Sequence, residues 1–206
     1  RLPGADIRTG DALLDPWPRP VGELAIVGNP PYLGVRKLRR ALGDEHVTRL
    51  FARYPHNRAA DLATYWFTRA SEHLRPGERA GYVCTKSITQ NASRAASLAP
   101  LLAAGDTITD AWRAHPWAGE AAVDVAIVNW ICGPAPGPHQ LDGRPVARIS
   151  ASLDDLDLAI AVADLVHACR RPIVRHAQRD QCGVDPFGLI SHGDFGCGFV
   201  GLFVLC

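Results

Sequence analysis

No methionine, no Cys-x-x-Cys pair, no surplus of one charge and no long apolar run occur in these 206 residues. Each absence excludes something. Lys and Arg number 22 against 21 Asp and Glu, a net charge of +1, so no global basic field draws the chain to nucleic acid. Any such contact must rest on a local patch. No stretch approaches the roughly 20 apolar residues that cross a bilayer, and the first residues do not read as a signal peptide. The six cysteines (Cys84, Cys132, Cys169, Cys182, Cys197, Cys206) lack metal-ligand and redox spacing. That argues against a zinc site, or any metal site, and for scattered reduced thiols in a cytoplasmic protein. Internal repeats are absent. The lack of methionine, with a start at Arg1 in mid-pattern, reads as an internal piece of a longer polypeptide. What is present is an ordinary globular balance, 47% hydrophobic and 21% charged, long enough for one sizeable core.

One short segment concentrates the information. Leu24-Ala25-Ile26-Val27 is an apolar run, followed by Gly28 and then Asn29-Pro30-Pro31-Tyr32. The pattern reads as a buried strand that stops at a rigid, polar-then-aromatic corner. Both prolines hold φ near −65° and carry no N–H, so the shape of the corner is largely preset. An amide side chain, carbonyl oxygens and an aromatic ring meet there. These are the groups needed to hold a flat base by its exocyclic amine.

Elsewhere the chain alternates strands and helices. Ile7–Thr9 reads as the end of a short strand, and Gly10-Asp11 as a turn. Residues 35–59 are polar and carry Arg36-Lys37-Leu38-Arg39-Arg40; a short helix and a loop are expected there. Asp61 reads as the N-cap of a helix whose Leu62, Tyr65, Trp66, Ala70 and Leu74 face a core, with Pro76-Gly77 as its stop. A second buried strand is expected over Ala80–Thr85. A helix follows over Ser97–Ala104, ended by Gly105. Strands are expected over Ile108–Trp112 and Val123–Trp130, paired as a hairpin. Strand–helix–strand–helix–strand order argues for a layered α/β domain. Gly133–Pro138 reads as a linker or long turn, Val146–Ile149 as a strand and Leu153–Cys169 as an amphipathic helix. Residues 172–206 carry no readable pattern.

The corner resembles motif IV of the amino-methyltransferases, which methylate N6 of adenine, N4 of cytosine or a glutamine amide. The likeness extends over roughly residues 5–132. It is carried by Thr9-Gly10-Asp11-Ala12-Leu13, by Ile26 through Gly34, by Ala60-Asp61-Leu62-Ala63-Thr64-Tyr65-Trp66-Phe67 and by Leu74-Arg75-Pro76-Gly77. It continues through Asp110-Ala111-Trp112 and Pro116-Trp117 to Ala121–Val128. In that order the segments are similar to motifs III to VIII of the adenine-N6 DNA methyltransferase region of type IIG and IIL restriction–modification enzymes.

The resemblance implies a partial Rossmann-like α/β fold that uses S-adenosylmethionine. It implies a central, mostly parallel sheet with a C-terminal hairpin, the N-terminal strands and the glycine-rich cofactor loop being missing. Residues 1–133 are then the catalytic half of the domain, and 134–206 a linker, a helix and the start of a following region. The implied partners are double-stranded DNA and fused or associated nuclease and target-recognition domains.

The implied roles are specific. Asn29 and the Pro30 carbonyl accept the amine hydrogens of an extruded adenine, Pro31 stiffens the corner and Tyr32 stacks on the base. Asp11 accepts a hydrogen bond from the adenine amine of the cofactor, which Asn29 also borders; a plain turn residue is the other reading of Asp11. Trp117 is a second aromatic near the base. Arg36 and Lys37 meet DNA phosphates, or form a solvated basic face. Asp61 is chiefly a cap, Trp66 and Trp112 are core residues and His115 is a loop histidine. Two rival readings stand beside this one: a protein-glutamine N5-methyltransferase, which uses the same four residues, and an inactive truncated remnant.

Overall fold

Strand β1 (Ala25–Gly28) is four residues with opposite burial on alternate positions: Ile26 is 0% exposed and Val27 45%. That alternation fixes which face of the sheet meets the helices. The computed structural model describes residues 8–117 and 124–155 and the backbone of 203–205, all within one compact unit. Helices α1 (Val35–Leu42) and α2 (Asp44–Arg53) follow β1, separated by Gly43 at φ +82°. Asp44 and Glu45 in the first turn of α2, and Arg53 in its last, complement the helix dipole. Two helices thus stand where the sequence pattern suggests one short helix and a loop.

A 3₁₀ turn at Pro55–Asn57 leads to α3 (Ala63–His73). Strand β2 (Arg79–Thr85) follows, then α4 (Asn91–Ala96), α5 (Leu98–Ala103), β3 (Thr107–Pro116) and β4 (Asp124–Ile131). Gly105, at φ +93°, ends α5 as expected. Two short strands, β5 (His139–Leu141) and β6 (Arg144–Val146), and β7 (Phe203–Leu205) complete the sheet.

The strand order is β6-β5-β3-β4-β2-β1-β7. Pairs β1–β2 and β3–β5 are parallel, and the other four are antiparallel. The sheet is therefore mixed rather than mostly parallel. The reason lies in β4. Strand β3 runs in the same direction as β2, but β4 returns from β3 and inserts between them. The hairpin expectation for β3 and β4 holds, with β3 longer than expected and bulged between Trp112 and His115.

Several smaller expectations are corrected. Arg8 and Thr9 form no strand; Ile7 lies outside the described residues. The strand placed at Val146–Ile149 lies earlier, at Arg144–Val146, because Asp142 (φ +51°) and Gly143 (φ +74°) form a tight two-residue hairpin turn. Residues beyond the Gly133–Pro138 segment extend the same sheet and place Leu141, Ile149 and Leu153 in the same core. Leu153 has φ +56° and Asp155 bridges to Ile149, so the helix expected at 153–169 does not begin there; its remainder lies outside the described residues.

The core lies on the helix-covered face. Phe67 of α3 stacks on Trp130 of β4 and meets Tyr82 of β2 edge-on, with centroids 5.2 Å apart in both pairs. Tyr82 and Trp130 close the trio at 5.4 Å. Each such pair contributes about 0.5–1.5 kcal/mol beyond the apolar area it buries.

Candidate active site

Strands β1 and β2 end side by side. Gly28 pairs with Tyr82, so the chain after β1 runs out level with Val83 and Cys84. Open α/β sheets bind their ligands at such carboxyl ends. Asn29 stands exposed there, Pro30 is buried beneath it and Tyr32 is 38% exposed. The Tyr32 hydroxyl donates to Asn29 Oδ1, so the ring and the amide share one side of the corner. No hydrogen bond among the described residues engages the Pro30 carbonyl. Burial first, then the nearby Cys84 and Asp61, raise the Tyr32 pKa far above its ordinary value, so the phenol stays a donor. Burial does the same to the Cys84 thiol, which leaves it no nucleophile.

The corner is closed from behind by the start of α3. The Leu33 carbonyl accepts the Leu62 N–H at 3.0 Å. Asp61 Oδ1 accepts the Ala63 N–H at 2.9 Å from two residues ahead of α3, so the N-cap position itself falls to Leu62 and not to Asp61 as expected. Burial raises the Asp61 pKa, opposed by the hydrogen bond from the Ala63 N–H and by the nearby Leu33 backbone. Sequence reasoning gave Asp61 little beyond capping and did not single out Cys84. Their nearness to Tyr32 arises from tertiary packing and leaves no local signal.

Asp11 shapes its own turn. Its Oδ1 accepts the Leu13 and Leu14 N–H groups at 3.0 and 3.1 Å, which is the turn-residue reading. Its other oxygen, Oδ2, lies 3.4 Å from His46 Nδ1 of α2, a neighbour the sequence gave no reason to name. The turn is tied to the end of α2 by the Tyr54 hydroxyl, which donates to the Leu13 carbonyl at 2.6 Å.

Trp117 is 42% exposed and lies at the same end of the sheet, two residues beyond His115. Strands β2 and β4 stand between it and β1. The β1 and β3 axes are thus roughly 14 Å apart by ordinary strand spacing, so the strand that carries Trp117 is not a neighbour of the one that carries the corner. Helix α1 begins directly after the corner. Arg36, Lys37 and Arg40 fall within about 100° of one another around its axis, opposite the buried Leu38. All three are exposed and form no ion pair among the described residues, whereas Arg39 pairs with Asp44 at 2.8 Å. Among the described residues no cluster of ligands could hold a metal ion.

A mixed α/β sheet with an exposed Asn-Pro-Pro-Tyr corner at a parallel strand's carboxyl end resembles the amino-methyltransferase class. The family model described as "MmeI, DNA-methyltransferase domain" matches residues 4–140, and the chain belongs to that family. It is 25% identical over 137 residues to DNA methyltransferase A of Bacillus subtilis (strain 168), a match covering 64% of this chain and 16% of that protein. Among solved structures it is similar to the type IIL restriction–modification enzyme MmeI in complex with DNA. That match has a TM-score of 0.51 and 24% identity, and covers 65% of this chain and 20% of MmeI. The chain therefore spans a minor part of each relative's length.

Proposed function

We propose that this chain carries the amine-gripping half of an adenine-N6 DNA methyltransferase within a restriction–modification protein. One observation carries the proposal: Asn29 Oδ1 and the Tyr32 ring stand exposed together at the carboxyl end of β1. Adenine's amine is a weak nucleophile because its lone pair is delocalised into the ring. Asn29 Oδ1 and the Pro30 carbonyl accept its two hydrogens, which draws the nitrogen toward tetrahedral geometry and frees the lone pair. No strong base is needed, since the nitrogen becomes acidic as it gains positive charge. These fixed acceptors stabilise charge that develops only during transfer. To reach them, the base must leave the duplex stack. Tyr32 then stacks on it, worth roughly 1–3 kcal/mol, and its hydroxyl gives up Asn29 Oδ1 to the amine.

S-adenosylmethionine, when bound, supplies a methyl group activated by its sulfonium. The residues present fit part of that cofactor. Asp11 Oδ2 is a carboxylate oxygen outside the turn's own hydrogen bonds, and it suits an adenine amine. Arg36, Lys37 and Arg40 offer phosphate contacts that position a duplex without reading its sequence. The glutamine reading has no observation in its favour, whereas the family match is to a DNA-methyltransferase domain.

The test is single-turnover methyl transfer by the intact protein at saturating DNA. Asn29→Ala is expected to slow the step about 100- to 1000-fold. Tyr32→Ala is expected to weaken base binding more than the step itself. Equal losses in the single-turnover rate would overturn these roles.

A further inference from the structure

Residues 11–15 form a turn that ends at the exposed Asp15, a setting in which water can satisfy backbone carbonyls. Three of its carbonyls accept protein side chains instead. The Trp17 indole N–H donates to the Ala12 carbonyl at 2.6 Å. The buried Tyr54 hydroxyl donates to the Leu13 carbonyl at 2.6 Å, and an Arg69 guanidinium N–H donates to the Asp15 carbonyl at 2.7 Å. From inside the turn, the Asp11 carbonyl accepts the Leu14 and Asp15 N–H groups. Arg69 also lies over the Trp17 ring, 5.3 Å from its centroid.

These ties converge on α3. Tyr65, Arg69 and His73 recur at four-residue spacing and share one face of that helix. Tyr65 meets the Tyr54 ring edge-on at 5.5 Å, Arg69 reaches Asp15, and His73 meets the Trp17 ring edge-on at 5.6 Å. The same helix starts at the corner, where the Leu62 N–H bonds the Leu33 carbonyl at 3.0 Å. One rigid element therefore holds both the turn that carries Asp11 and the corner that carries Asn29 and Tyr32. Fixing the turn also fixes Asp11 Oδ2, the oxygen outside the turn's own hydrogen bonds. Resting on the methyltransferase reading above, we infer that Tyr54 and Arg69 are positioning residues for the cofactor. By clamping residues 11–15 to α3, they set where Asp11 meets the cofactor's adenine amine relative to the corner that grips the substrate's. Positioning matters at this scale: a 1 Å misplacement can cost about 100-fold in rate.

The test uses Tyr54→Phe, which deletes one hydroxyl, and Arg69→Gln, which withdraws the guanidinium from a half-buried site. In the intact protein without DNA, calorimetry with S-adenosylmethionine should show Kd raised about fivefold by each change. Before any cofactor is added, amide exchange at Leu14 and Asp15 should be faster in both variants. In labelled methyl transfer to unmethylated plasmid DNA, the KM for S-adenosylmethionine should rise by the same factor and the KM for DNA should not. In an Asp11→Asn background neither change should raise Kd further, since both act through that carboxylate. If Tyr54→Phe fails to fold, Arg69→Gln decides alone. Wild-type Kd in the variants, or an undiminished rise in the Asp11→Asn background, overturns the inference while the methyltransferase reading stands. Absence of methyl transfer by the wild-type protein overturns that reading itself, and this inference with it.

Discussion

The Tyr32 hydroxyl donates to the same Asn29 Oδ1 that a substrate amine would need. Ring and hydroxyl therefore act in opposite senses, the ring favouring the base and the hydroxyl competing with its amine. Tyr32→Phe should keep stacking and give turnover no lower than wild type, whereas Tyr32→Ala loses the platform; steady-state methylation of one plasmid by both variants checks this. At Asp11, replacement by Asn keeps an acceptor for the turn but removes the carboxylate oxygen beside His46. The KM for S-adenosylmethionine should rise about tenfold with kcat retained. Asp61 adds a dependence on pH. Its folded-state pKa is raised, so the folded state binds that proton more tightly than the unfolded chain does. The burial cost is absent well below the ordinary value of 3.8 and grows as pH rises through and above it. Over that range wild-type stability should decline relative to Asp61→Asn, read as the difference in urea midpoints across pH. Asn29 to Tyr32 were legible in sequence because prolines make a corner's shape local. The backbone bond from Leu62 to Leu33 that closes the corner was not, because it joins residues 29 positions apart.

Among the elements, α1 owes its place to one buried residue and its chemistry to the opposite side. Leu38 is its buried side chain, and Arg36, Lys37 and Arg40 face solvent immediately beyond the corner. Replacing the three with Ala should weaken binding of non-specific duplex, most strongly at low salt. The slope of log K against log salt should shrink by about 1 for each phosphate that these side chains no longer neutralise, as salt titrations would measure. Helix α3 anchors the site from below through Phe67, stacked on Trp130. Phe67→Ala should cost about 3–5 kcal/mol in urea unfolding. Strands β1 to β4 and α3 were legible from apolar patterning. The β5–β6 hairpin carried a readable signal, Asp142-Gly143, but its strands are three residues each, too short for an alternation to stand out. Helices α1 and α2 were blurred together because their faces are mainly charged.

On the scale of the whole molecule, strand directions were harder to read than strand positions. Alternating elements suggested parallel pairing, yet the insertion of β4 between β2 and β3 is a long-range choice that no local pattern encodes. The insertion has a functional consequence. It keeps β1, β2 and β3 pointing the same way, so their carboxyl ends gather Asn29, Tyr32, Thr85 and Trp117 at one end of the sheet. The proposed function requires that end to grip an adenine amine. The direct measurement expresses the intact protein in a host without adenine methylation and quantifies modified nucleosides in its DNA by mass spectrometry. N6-methyladenine is expected with the wild-type protein and absent with Asn29→Ala. N4-methylcytosine in its place, no modified base at all, or undiminished N6-methyladenine with Asn29→Ala would contradict it.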